Sequence, residues 1–137
     1  MKKFYKYLLL IVSLLLSSCK DKTYYFNYSE MIDKVVKIEI VQTSGLDYPY
    51  EEYRTHLLTL DKKTTDEFLV DISKIEFFKP FPLIFPGYPD GITFWISYED
   101  SKYDYINYII SICNNKYSGI SIEDYNYLVD KYYYQII

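Results

Sequence analysis

The chain has 137 residues, 15 of them basic and 19 acidic, with one histidine and a formal net charge of −4. An acidic chain with a single arginine (Arg54) and no basic cluster does not suit a nucleic-acid partner or an electrostatic hold on anionic lipid. One histidine excludes two-histidine metal centres, and four glycines leave no phosphate-cradling loop, so neither a metal nor any other cofactor is expected.

In chain order, Lys2, Lys3 and Lys6 precede an apolar run, Leu8–Leu16, broken only by Ser13. At about 1.5 Å per residue this run is too short for a hydrocarbon core of about 30 Å. A positive end, a short apolar middle and small residues at the exit are the parts of a secretory signal. Leu16-Ser17-Ser18-Cys19 then resembles the bacterial lipobox, an aliphatic residue and two small residues before a cysteine. That resemblance implies removal of residues 1–18, a diacylglyceryl group on the Cys19 sulfur and an acylated, palmitate-type amino terminus. Two or three acyl chains, each CH₂ worth about 0.8 kcal/mol, hold far better than one. The expected location is the bacterial cell envelope, with the membrane as a partner through the lipid. Lys20-Asp21-Lys22 leaves inner face, outer membrane and cell surface all open.

Residues 19–137 keep all 19 acidic residues but only 12 basic ones, a balance of −7, and their length fits one domain. Alanine is absent while Tyr, Ile, Lys and Asn abound, the bias of an AT-rich genome. The 19 tyrosines are therefore read first as composition and second as a carbohydrate-binding surface. With Cys19 lipidated, Cys113 has no partner for a disulfide; at the end of an apolar run it reads as a small buried hydrophobe.

Residues 19–28 read as a lipidated tether and 29–137 as one domain. Ser29–Asp33 suits one helical turn. VVKIEIVQ (35–42) alternates, with Val36, Ile38 and Ile40 on one face, and YRTHLLTL (53–60) sets His56, Leu58 and Leu60 against Thr55, Leu57 and Thr59. Thr64 and Glu67 carry a capping-box spacing before Phe68, Leu69, Ile72 and Ile75, which predicts a helix near 65–74. KIEFF (74–78) suits a short strand. Residues 79–91 hold four of the five prolines and form a loop.

ITFWISYED-SK-YDYINYIISIC predicts a long hairpin. Pairing Tyr98 with Tyr103 puts Trp95 beside Tyr108 and Ile106, and Asn114-Asn115 turns the chain into a strand over 116–120. Ser121 caps a final helix with an inward stripe of Ile122, Tyr125, Val129, Tyr132 and Ile136. The order β-β-α-β-β-β-β-α predicts a small α+β domain, an antiparallel sheet with two helices on one face.

No catalytic set is assigned. His56 reads as a structural strand histidine, and no GxSxG turn presents a serine. Asp47, Glu51 and Glu52 crowd one loop without the ligand spacing of an EF-hand. Trp95 and Tyr108 on the hairpin, with Phe81 and Phe85 of the proline-rich loop, are the candidate binding surface, because exposed aromatic anchors dominate binding energy. The resulting expectation is a non-catalytic binding module for another envelope protein, one form being an inhibitor or immunity lipoprotein. The alternatives are a small envelope hydrolase acting on glycan through paired carboxylates, or a structural glycan-binding component.

Overall fold

The computed structural model describes residues 3–10, 23–43, 54–79 and 91–137. Residues 3–10 are helical, and among the described residues no helix is long and apolar enough to cross a membrane. Cys19, the 44–53 loop with its three acids, Phe81 and Phe85 lie outside the described residues.

The rest runs β1 (Thr23–Tyr24), α1 (Tyr28–Lys34), β2 (Val35–Thr43), β3 (Arg54–Thr59), α2 (Lys62–Ser73), β4 (Phe77–Phe78) and β5 (Gly91–Tyr98). It continues through β6 (Tyr103–Ile106), β7 (Ser111–Cys113), β8 (Lys116–Ser118) and α3 (Ile122–Val129), which passes into a π-helical turn over Asp130–Tyr134. Six strands form one antiparallel sheet in the order β3-β2-β5-β6-β7-β8, while β1 pairs with β4. The chain is thus a small α+β domain whose sheet is covered by α2 and α3 on one face. Ile38, Ile40, Phe94, Ile96 and Ile106 from the sheet meet Phe68, Leu69 and Ile72 of α2 and Leu128 and Val129 of α3 in one buried cluster.

Local chemistry sets the element ends. Asp61, not Thr64, caps α2: its carboxylate accepts the Thr64 amide at 2.8 Å, and that bond holds the carboxyl below its ordinary range. An acid at this position also faces the positive end of the helix dipole. Ser121 caps α3 as expected, accepting the Asp124 amide at 3.1 Å while its hydroxyl donates to the Asp124 carboxylate at 2.9 Å.

Three irregularities move side chains from their expected faces. A bulge between Val35 and Lys37 turns Val36 outward, 62% exposed, while Ile38 and Ile40 stay in the core. A second shift opposite Ile40 and Val41 separates Leu58, which packs on the core, from His56, which lies on the other face. The third lies in the hairpin. The turn residue Ser101 takes φ 67°, the Tyr98 amide donates to the Lys102 carbonyl, and Ser97 rather than Tyr98 faces Tyr103. A slip of one residue exchanges faces along a strand, so Tyr103 and Tyr105 join Trp95, and Asp104 and Ile106 turn toward the helices. The expected long strand 103–113 also breaks at Asn107, whose buried side chain donates to Thr93 and accepts the Ile109 amide, folding β7 back on β6. Asn114 and Asn115, both at positive φ, make the expected tight turn into β8.

Part of the segment read as a tether packs on the domain. Thr23 and Tyr24 pair with Phe78 and Phe77, and Phe26 is buried edge-on against Phe77 at 5.1 Å. The final helix docks through Tyr125, Leu128, Val129 and Tyr132, whereas Ile122 and Ile136 are exposed. The π turn, closed by the Gln135 amide on the Asp130 carbonyl, adds a residue to the repeat and rotates Ile136 away.

That turn also brings Lys131 and Tyr132 onto Asp71 of α2. Asp71 accepts from the Lys131 ammonium at 2.7 Å and from the Tyr132 hydroxyl. Burial pushes the Asp71 carboxyl up, but the bonds from Lys131 and Tyr132 outweigh it and hold it below the usual carboxylate range.

Two measurements check this packing. Leu128→Ala, at a fully buried site, should cost about 2–5 kcal/mol, and Ile122→Ala no more than about 0.5 kcal/mol, read from denaturant midpoints. Because the Asp71 carboxyl is depressed in the folded state, its contribution is present above the ordinary carboxylate pKa of about 4 and is lost as pH falls through the folded value. Asp71→Asn should therefore lower stability at pH 7 by about 1–3 kcal/mol and flatten the acid limb of a melting-temperature profile.

Candidate functional site

On the sheet face away from the helices, one row crosses all six strands: Thr59, Glu39, Trp95, Tyr105, Ile112 and Tyr117. The indole of Trp95 stacks on Tyr103 at 4.4 Å and on Tyr105 at 5.7 Å, and the Arg54 guanidinium lies 4.3 Å from its ring centre. Thr43 pairs with both Arg54 and Gly91, whereas Tyr103 pairs with Ser97, so Arg54 and Tyr103 reach Trp95 from opposite ends of β5. Trp95 is consequently only 8% exposed and is covered by Tyr103, Tyr105 and Arg54 rather than standing open as an anchor.

The hairpin does not unite the expected pair. Tyr108 lies in the turn after β6, packed on Tyr125 of α3 at 5.6 Å and against Gly91, on the helix side of the sheet. His56 is also committed: its Nε2 is 2.7 Å from the Thr59 hydroxyl and 3.7 Å from the Glu39 carboxylate, which Lys37 meets at 3.0 Å. Among the described residues no group of His, Cys, Asp and Glu is gathered as metal ligands.

Among the described residues, a cleft lies elsewhere, where α1 passes the two hairpin turns. Its volume is about 360 Å³, and its walls are Glu30, Met31 and Lys34 of α1, the 98–104 turn and the Asn114-Asn115 turn. Met31 is buried at its base, and the Glu99 amide donates to the Lys34 carbonyl at 3.0 Å, tying helix to turn. Asn114 Nδ2 donates to the Tyr25 carbonyl at 2.8 Å, fixing the second turn to the start of the domain.

Asp104 is the organising residue. Its Oδ2 accepts from the Tyr98 hydroxyl at 2.5 Å and the Asn114 amide at 3.3 Å, and its Oδ1 accepts from the Asn115 amide at 3.0 Å. Burial pushes its carboxyl above the ordinary value, against the pull of these three donors. Desolvation and the same carboxylate push the Tyr98 phenol up in turn. Sequence reading missed this cluster because it put Asp104 on the opposite face. The signal was present in Asn114-Asn115, since two successive residues at positive φ expose amides that an acid can receive.

Cys113 lies behind this site, fully buried. Burial first, then the charge of Asp104, pushes its thiol up to about 12.

No protein-family model matches the chain, and neither the curated proteins nor the solved structures give a match to it.

A thiol raised this far is essentially all protonated near neutral pH, and only the thiolate reacts. In a Cys19→Ser chain, where Cys113 is the sole thiol, maleimide should label the native protein at least about tenfold more slowly than the denatured one. Equal rates would show the sulfur to be accessible.

Proposed function

We propose that the chain is a lipid-anchored binding module of the bacterial cell envelope, tethered through Cys19 and docking another envelope protein; an inhibitor or immunity lipoprotein is one form of it. The anchor rests on the lipobox resemblance of Leu16–Cys19. The observation that carries the binding reading is the cleft at α1 and the two hairpin turns. It combines an apolar base with an exposed charged rim, on turns pinned to the sheet through Asp104. Among the described residues, three other reactive groups serve structure, with Cys113 in the core, Asp71 clamping two helices and His56 tied to Thr59 and Glu39.

One observation favours a second reading, glycan hydrolysis. A carboxyl pushed up by burial in a cleft is the property of a general acid. Against that role, Asp104 commits three of its acceptor positions to the hydroxyl and two amides that fix the turn, so moving a proton there would loosen the fold. Release of reducing ends from envelope glycan, lost in Asp104→Asn with folding intact, would decide for the hydrolase.

Cys19→Ala should abolish fatty-acid labelling and leave an uncleaved or soluble chain; labelling at the wild-type level would refute the anchor. A photo-crosslinker at Glu99 should give an adduct with a discrete envelope protein in intact cells, and its absence would count against the binding module.

A further inference from the structure

The cleft is mostly apolar at its base, and its rim is charged unevenly. Glu30, Glu99, Asp100 and Asp104 supply four carboxylates against two ammonium groups, Lys34 and Lys102. Lys102 is taken up by Asp100 at 3.8 Å, and among the described residues Glu30 and Glu99 have no ion-pair partner. Among the described residues no cation pairs with the buried Asp104, although its three donors are all in place. An ionised carboxyl offers about four acceptor positions, so one is left. Burying a carboxylate without an opposite charge is costly, and a cation delivered beside it offsets that cost.

We infer that the cleft receives the guanidinium or ammonium end of an arginine or lysine side chain projecting from a protein partner. The aliphatic stem lies along Met31 and the ring of Tyr98, and the charged end meets Glu30, Glu99 and the free acceptor position of Asp104. An anion would meet a net negative rim, and a purely apolar group would cover Glu30 and Glu99 with nothing to replace their water. A protein is the fitting source because residues 19–137 carry a balance of −7, which steers a basic partner toward this surface. The source of the occupant rests on the binding-module reading; its chemistry rests on the cleft alone.

The test uses the full chain in detergent micelles, with N-acetyl-arginine methylamide as probe and its neutral isostere, N-acetyl-citrulline methylamide, as control. The arginine probe should give saturable NMR shifts at the Met31 methyl and the Glu99, Asn114 and Asn115 amides, and citrulline should bind at least about tenfold more weakly. Glu30→Gln with Glu99→Gln, both exposed positions that the fold does not need, should weaken the probe by about threefold or more. Equal binding of citrulline, shifts centred elsewhere, or no effect of the double substitution would overturn the inference. The same resonances moving with protein concentration alone would also overturn it, by making a second copy the occupant. If the crosslinked partner is found but the arginine probe fails, this inference falls and the binding module stands. If the probe binds at the cleft and no partner is crosslinked, the cation chemistry stands and the protein source falls.

Discussion

Phe68 fills the space between the sheet and the last helix, 5.0 Å from the ring of Phe94 and 5.0 Å from that of Tyr132. Both helices are placed by this contact. α2 carries Phe68 inward and Asp71 one turn later, so the ring that Phe68 packs against also donates its hydroxyl to the same helix. Tyr132 keeps the inward spacing of Tyr125 and Val129 and sits within the π turn that begins at Asp130. That irregular turn is held by an apolar contact, Tyr132 on Phe68, and by the charged cluster at Asp71.

Periodicity made the architecture readable. The 3.6 repeat in α2, the Ser121 cap and the alternation in β2 and β5 each follow from burying one apolar side of a regular element. What was not readable were the places where one residue is inserted. Val36, the Leu57–Leu58 step, Ser101 and the π turn each add a residue to a regular count, and none carries a sequence mark strong enough to announce it. Ser101 shows the scale of the effect: one serine at positive φ moves Asp104 from the outer face to the core side. The Asn114-Asn115 turn was legible because asparagine tolerates that conformation without strain.

The same slip explains why the expected aromatic surface dissolves. Trp95 was placed correctly on its strand, but β6 arrives in the other register and brings Tyr103 and Tyr105 to stack on it instead of Tyr108. The aromatic content of the outer face is therefore largely turned on itself, with Arg54 as a further layer. A cleft lies instead between α1 and the two turns, and Asp104 holds those turns from beneath. A site made by three separate segments, 30–34, 98–104 and 114–115, leaves no local motif to find.

Asn114 reaches back to the Tyr25 carbonyl, and Thr23 and Tyr24 pair with Phe78 and Phe77. An extended chain advances at most about 3.3–3.6 Å per residue. On the lipid-anchored reading, the four steps from Cys19 to Thr23 thus span no more than about 14 Å, so the domain rides close above the bilayer with little freedom to tumble away. The cleft shares Asn114 with this end of the domain, so on the same reading it lies on the membrane-attached side of the chain. On that reading, a partner held in or on the same membrane would meet the cleft in two dimensions, where local concentration replaces much of the affinity that a freely diffusing partner would need.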